Sequence, residues 1–466
     1  MGSLQALQDR FHRPLVFSLK VALGESGEAL AKAVSAVCQS GARVGEMALV
    51  SLEAKGAVVY DLRVFAANDQ QMAQVRKDVE AAGAKVLAAV DLALESHRGG
   101  SCEMRSRTPI RSNTDLRIVY TPGVARVCKA IQADPSLARE YTGVANKVAI
   151  ATNGTAILGL GDIGCLAGLP VMEGKSAIFW EFVKLSAEPV LIDTHDADEF
   201  INIMEKLAVG FGAIQIEDVA APECFKITRE LDKRLKIPVM HDDQHGTATI
   251  VTAGLLSALR MTGRKIGDLS CAISGAGAAG TAITELLQLA GIGDVVLVDR
   301  AGILYRGRKQ NMNPEKVALA ERTNKENIQG DLAAAMRGRE LFIGVSQPNL
   351  VSPDMVRGMA KDPIVFALAN PVSEISVSDA YEAGAALAAD GRMMNNALAY
   401  PGIFRGAMDA NAEDITVPMM MAAADALAGR VSGDEFLPEM MDPATHQSVA
   451  AAVRAVAESD SRYCRR

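Results

Sequence analysis

The sequence predicts an α/β chain: a small βαββαβ unit, then a longer region of parallel sheets flanked by helices. Three observations predict it. Residues 14–95 carry strand and helix patterns in the order β, α, β, β, α, β. From Val148 onward, short apolar runs alternate with helical patterns. One of those runs, Leu269–Ile273, enters a glycine-rich turn that opens a helix.

Each element has its own signal. Leu15–Ala22 alternates like a strand, and Ser26–Gln39 has helical spacing. Val44–Leu52 and Val58–Phe65 read as strands joined by a turn at Ala54-Lys55-Gly56. Met72–Ala82 is a helix and Lys85–Leu92 a strand. That order is the ferredoxin-like arrangement. With no cysteine cluster, histidine pair or glycine fingerprint, the segment resembles an ACT domain, a small-ligand sensor attached to metabolic enzymes. The plainer reading is a structural or dimerising module. Glu95–Asn113 is polar, with Gly99-Gly100 and Pro109, and reads as a linker. Strand candidates follow at Val148–Ala151, Ala156–Leu160, Val190–Ile192, Ala213–Ile216 and Val239-Met240, then a long apolar helix from Thr247 to Leu259. Leu269–Ile273, Val295–Val298, Leu341–Val345 and Ile364–Ala369 are further strands. From Pro418 the chain is alanine- and methionine-rich and mostly helical.

At 466 residues the chain is long enough for several domains. A net charge of −8 with no basic block argues against a nucleic-acid partner, and a single tryptophan argues against stacking platforms. No apolar run reaches membrane-spanning length, and the N-terminal residues lack a signal-peptide core. Seven scattered cysteines without a CxxC pair read as reduced thiols, so the expected location is the cytoplasm.

Two acidic clusters carry the chemistry. Glu217-Asp218 follows the run Ala213–Ile216, and Asp242-Asp243 follows Val239-Met240. Ligands bind at the carboxyl ends of strands in open α/β sheets. Carboxylates converging there without cysteine suit a hard divalent cation, Mg²⁺ or Mn²⁺. Glu217, Asp218 and Asp243 are the expected ligands. Neighbours on a strand point oppositely, so Glu217 and Asp218 share one ion only at a strand end. The alternative is a solvated loop with helix-capping carboxylates. His241 and His245 invite a zinc reading, but with carboxylates dominating they are read as hydrogen-bonding or capping residues.

The loop Gly275-Ala276-Gly277-Ala278-Ala279-Gly280 follows a strand and precedes the helical pattern Thr281–Leu289. Gly275, Gly277 and Gly280, with Ala278 and Ala279, fit a dinucleotide pyrophosphate at a helix N-terminus. Asp299 ends the next strand, where an acidic residue meets the ribose 2′-OH and disfavours a 2′-phosphate. NAD therefore leads. Arg300 beside it is able to hold that phosphate, which keeps NADP as the alternative.

Lys175 lies between a glycine-rich stretch and the apolar run Ala177–Trp180. Such a lysine is either a base with a lowered pKa or a surface residue starting a helix. Tyr120, at a turn into a helix, either donates a proton or packs.

Together, Tyr120-Thr121-Pro122-Gly123, Ile157-Leu158-Gly159-Leu160-Gly161-Asp162, Glu173-Gly174-Lys175, Glu217-Asp218, Asp242–Ala248, Ala369-Asn370-Pro371 and Asn395-Asn396-Ala397 resemble the malic enzyme family, bacterial short type, in order over roughly residues 110–430. The resemblance implies NAD(P)-linked oxidative decarboxylation of L-malate to pyruvate. Lys175 would be the general base and Tyr120 the general acid, with Asp242 orienting Lys175. Asn370, Asn395 and Asn396 would hydrogen-bond substrate or nicotinamide ribose. The larger members carry an arginine before the ILGLGD motif to clamp a substrate carboxylate. This chain has Ala156 there, so the resemblance supplies no such clamp. The expected domains are an ACT-like segment at 1–98, a substrate and metal domain at 99–245 and a Rossmann-type domain at 246–466. A homodimer or larger homo-oligomer is expected, with a small effector at the N-terminal segment. The competing readings are a malolactic-type decarboxylase with retained NAD and an effector-binding protein with an inactive dehydrogenase domain.

Overall fold

The computed structural model describes residues 15–460 apart from 25, 53–56, 158–159, 371 and 434. The turn expected at Ala54-Lys55-Gly56, and Leu158, Gly159 and Pro371 of the motifs above, lie outside the described residues. The chain divides into two compact units with the boundary between Glu103 and Met104.

The first unit contains β1 (Leu15–Gly24), β2 (Arg43–Leu52), β3 (Ala57–Ala66) and β4 (Lys85–Asp91) in one sheet of order β2-β3-β1-β4. Central β1 pairs antiparallel with both β3 and β4. That is the ferredoxin-like topology. Helices Gly27–Gln39 and Asp69–Ala81 start at Ser26 and Asn68, whose side chains accept backbone N–H groups of the first turn. Val37, Val75 and Val79 from these helices pack on Leu19, Val21, Leu62 and Val64, all buried.

The second unit contains two sheets. In the first, β5 (Lys147–Thr152), β6 (Ser186–Leu191), β7 (Ala213–Ile216) and β8 (Val239–His241) run parallel in the order β6-β5-β7-β8. The order reverses between β5 and β7, which opens a crevice at their carboxyl ends. The second sheet contains β9 (Ser270–Ser274), β10 (Asp294–Asp299), β11 (Gly302-Ile303), β12 (Leu341–Gly344), β13 (Ile364–Ala367) and β14 (Leu387–Asp390). Its order is β11-β10-β9-β12-β13-β14, parallel except for the β10–β11 pair. The parallel strands follow the 2-1-3-4-5 doubly wound order, with the switch point between β9 and β12. β11 and β14 escape the pattern reading because they are short and not apolar throughout.

One continuous core joins the two sheets. It contains Val148 and Ile150 of β5, Ile273 of β9, and Phe179, Tyr400 and Phe404 from helices between them. The helix Thr247–Thr262 buries most of its residues, so it reads as apolar all round rather than striped. Each fully buried large aliphatic side chain contributes roughly 1.5–3 kcal/mol. Of the strand expected at Ala156–Leu160, the described residues Ala156, Ile157 and Leu160 belong to no strand. Ile157 makes only an isolated antiparallel bridge to Gly161. The backbone there is diverted to another partner, since the Ala156 N–H donates to the Asp218 carbonyl. Among the described residues no helix is long and apolar enough to cross a membrane.

Candidate active site

The site is assembled at the carboxyl ends of β7 and β8. Glu217 directly follows β7, and its N–H still donates to Ala151 of β5 at 2.9 Å. Asp218 then turns into the left-handed region, φ +52°. Aspartate tolerates that conformation better than most residues. The turn resolves the strand-alternation problem. Glu217, Asp218 and Asp243 each offer a carboxylate oxygen, all within 4.8 Å of one another. The Asp218 N–H donates to Asp243 Oδ2 at 3.2 Å, and Gln215 Nε2 donates to Glu217 Oε2 at 2.5 Å.

After β8 the chain forms one wide π-helical turn, Asp242–Gly246, before the helix Thr247–Thr262. His241 caps it, with Nδ1 accepting from the Gln244 N–H at 3.3 Å. Gly246 is required there, because a Cβ would collide with Asp242 Oδ1. Both histidines are capping or packing residues, neutral at pH 7. Burial pushes their pKa values down to about 4.

Lys175 sits in the middle of the helix Cys165–Val183, not at a helix start, and its side chain is only 14% exposed. Its Nζ lies 2.5 Å from Asp242 Oδ2 and 3.0 Å from Glu217 Oε1. Asn396 Nδ2 donates to the same Asp242 oxygen at 2.7 Å. The expectation of a lowered lysine pKa is overturned. Burial lowers it, but the Asp242 and Glu217 carboxylates outweigh burial and hold the ammonium well above its ordinary value. Glu217 is pushed well up, first by burial and then by the charges of Asp242, Asp243 and Asp218, against the pull of Lys175. Four carboxylates therefore face one buried ammonium. This all-oxygen, electron-rich set fits a hard divalent cation.

Tyr120 does not join this cluster. It ends the short helix Asn113–Val119, is 64% exposed, and makes none of the contacts that join Lys175, Glu217, Asp242 and Asn396. Asn395 caps the turn Asn396–Leu398 by accepting from the Ala397 N–H at 2.9 Å. Asn370 is exposed just past the end of β13.

The glycine-rich loop leaves β9 at the switch point of the second sheet. A Cβ at Gly280 would collide with the Gly275 carbonyl, so the turn tolerates no side chain there. The helix Ala278–Leu289 has Gly277 at its start and no side-chain cap. Its first N–H groups are left for another acceptor, and a Cβ at Gly277 would meet no protein atom. That is the cradle a pyrophosphate fits.

Asp299 is more constrained than its sequence position suggests. It accepts Arg308 Nη2 at 2.6 and 2.5 Å, Lys316 Nζ at 2.7 Å, Asn311 Nδ2 at 2.9 Å and the Ala301 N–H at 2.8 Å. Burial raises its pKa, but these donors outweigh burial and lower it. Arg300 is exposed, and its Nη2 donates to Asn311 Oδ1 at 3.3 Å. Arg308 and Lys316 were invisible to the spacing argument, because only the turn after β11 brings them back to β10. Tyr400, beside Lys175, was equally missed. Its sole signal is an aromatic four residues after Asn396.

Comparison with known proteins agrees with this architecture. Residues 100–232 match the malic enzyme N-terminal domain, and residues 244–460 match the malic enzyme NAD-binding domain. The chain is 44% identical to an NAD-dependent malic enzyme of Geobacillus stearothermophilus, over 78% of this chain and 77% of that protein. It is also 44% identical to a bifunctional malic/malolactic enzyme of Bacillus subtilis, over 77% of this chain and 90% of that one. The crystal structure of the NAD-dependent malic enzyme of Thermotoga maritima aligns with a TM-score of 0.75 at 39% identity, over 78% of this chain and 98% of that one. An NAD-dependent malic enzyme of Bacillus subtilis, 38% identical, aligns over 91% of this chain and 93% of that protein. Over both matched segments, this chain belongs to the malic enzyme family.

Proposed function

We infer that the chain catalyses the oxidative decarboxylation of L-malate to pyruvate and CO₂, with reduction of NAD or NADP and dependence on Mg²⁺ or Mn²⁺. The observation that carries this reading is the meeting of the Lys175–Asp242 pair with the Glu217, Asp218 and Asp243 carboxylates at one crevice. Lys175, as the neutral amine, takes the proton of the malate C2 hydroxyl, and Asp242 at 2.5 Å stabilises the ammonium that forms and fixes its direction. Asn396 holds Asp242 from the other side. The Gly275–Gly280 loop would seat the dinucleotide, whose nicotinamide would supply the hydride acceptor. Glu217, Asp218 and Asp243 would hold a divalent ion, which would supply Lewis acidity toward the developing negative charge and, by drawing Glu217 away from Lys175, would remove one of the charges that keep the lysine protonated. Tyr120 is assigned the final protonation at C3, and Asn370 and Asn395 substrate or cofactor contacts. These three assignments are supported by the motif resemblance.

The deciding experiment is a spectrophotometric assay of malate with NAD or NADP, with and without Mn²⁺. Metal-dependent NADH or NADPH and pyruvate in equal amounts support the reading. Lactate without net NADH formation would instead establish a malolactic reaction.

We also propose a homo-oligomer in the cytoplasm, with residues 1–98 as an effector-binding module. Helices Asn113–Val119 and Val124–Ala133 bury none of their residues, and Ile118 and Leu116 are exposed on the first. Such a surface supports coverage by a second copy. The six described cysteines are free thiols, which supports a reducing compartment.

A further inference from the structure

Lys175 meets more than carboxylates. Its Nζ lies over the ring of Tyr400, 4.5 Å from the centroid. Tyr400 is fully buried. Its ring is locked by Phe179, which meets it edge-on with centroids 5.1 Å apart, and Phe179 in turn meets Phe404 at 5.6 Å. Phe179 lies four residues beyond Lys175 on the same helix, so lysine and ring are braced by one element. Tyr400 opens the helix Tyr400–Asp409 four residues after Asn396. The segment from Asn396 to Tyr400 thus holds both the acceptor of Lys175, Asp242, and an aromatic wall beside it.

We propose that Tyr400 is a positioning residue for Lys175, its ring face holding the Nζ against Asp242 and Glu217. The inference rests on the malate reaction argued above, in which neutral Lys175 takes the C2 hydroxyl proton as the C2 hydride leaves for the nicotinamide, and so becomes the ammonium that Asp242 and the Tyr400 ring face. The ring face is the negative end of the aromatic quadrupole and attracts an ammonium, most strongly where water is excluded. A flexible four-carbon side chain otherwise has several rotamers open to it. Misplacing a reacting atom by about 1 Å costs as much as 100-fold in rate.

The test replaces Tyr400 in the full-length enzyme with phenylalanine, leucine, and phenylalanines of increasing ring fluorination. Fluorination weakens the π face while nearly preserving shape. Tyr400→Phe should stay within about threefold of wild type. Tyr400→Leu should lose about 10- to 30-fold in kcat, with KM for malate within about twofold. The fluorinated series should fall stepwise in kcat. A flat series, or a Phe variant as impaired as the Leu variant, would overturn the proposal. A readout independent of activity is the ¹H shift of the Lys175 Cε protons in enzyme labelled with ¹³Cε-lysine. Ring current moves them upfield in wild type and Tyr400→Phe but not in Tyr400→Leu, and an unchanged shift across all three would also overturn it. Wild-type enzyme without malate-dependent NADH or NADPH would sink the functional reading alone, and the shift would still decide the placement of Lys175.

Discussion

Asp242 accepts the Lys175 ammonium at 2.5 Å, although the two residues are 67 positions apart and come from different elements. The pair is almost wholly buried, and Glu217 Oε1 lies 3.0 Å from the same ammonium. A buried lysine so held is neither a surface residue nor a spare structural charge, because a buried ion pair by itself seldom stabilises a fold. Lys175→Ala should therefore cut turnover by at least ~100-fold, the lower end for loss of general acid–base catalysis, while malate and NAD still bind. Tyr120→Phe should instead impair the last proton transfer and spare part of the pyruvate-reduction half. Rates of malate oxidation and pyruvate reduction measured side by side separate the two. An unchanged rate for Lys175→Ala, or equal losses for Tyr120→Phe in every partial reaction, would contradict the assignments.

Asp243 is the carboxylate of the acidic triad contributed by the second strand end. Its removal leaves Glu217 and Asp218, which supply too few ligands for a hard cation that prefers six oxygens. Asp243→Ala should lose Mn²⁺ binding in titration calorimetry together with activity. Wild-type affinity for Mn²⁺ would remove Asp243 from the ligand set.

Cofactor choice turns on the clamp at the end of β10. By its position alone, the Asp299 charge opposes a 2′-phosphate. In the folded chain that charge is already met by Arg308 and Lys316. Asp299→Ser would leave both cations, and exposed Arg300, uncompensated. The ratio of kcat/KM for NADP over NAD should rise. Stability should fall as well, by about 3–5 kcal/mol if the buried Arg308 finds no new partner. A fall in the NADP/NAD ratio would show that the cations belong to the clamp alone.

How much of this was legible follows from range. Strand ends at Ile216 and, one residue short of the observed His241, at Met240 are readable because short apolar runs announce buried parallel strands and the carboxylates follow closely. The glycine loop was readable because its chemistry is local. The Lys175 environment was not. Its pKa direction depends on Asp242 and Glu217 arriving from other strands, and the local apolar run suggested only burial. Ala156–Leu160 misled for the opposite reason. Its apolar residues look like a strand, but the Ala156 N–H is claimed by the Asp218 carbonyl.

His241 links the site to acid stability. It is fully buried, and burial pushes its pKa down from 6.5 to about 4. Between those values the unfolded chain binds the proton and the folded chain does not. Stability from this residue is thus complete above pH 6.5 and is lost as pH falls toward 4, by roughly 3 kcal/mol at most. Wild type should lose stability more steeply than His241→Gln between pH 7 and pH 5, measured by urea unfolding in chelator. Parallel curves would mean that His241 is protonated in the folded protein.

The N-terminal unit, residues 15–103 among those described, carries its own sheet and core and none of the candidate site residues. The malic enzyme N-terminal domain match starts at residue 100. A module with a separate core should be removable without destroying the rest. A variant beginning at Ser101 should therefore keep malate oxidation. If the module is a sensor, it must bind its ligand with different affinity in two states of the enzyme, since equal affinity shifts nothing. The full-length enzyme should then change its rate or its KM for malate with some small metabolite, an amino acid or a central-carbon acid, and the truncated one should not. Light scattering on both forms reports whether the unit also supports the oligomer. A truncated enzyme that is active, equal in assembly size and identical across the metabolite panel would leave the unit no regulatory role.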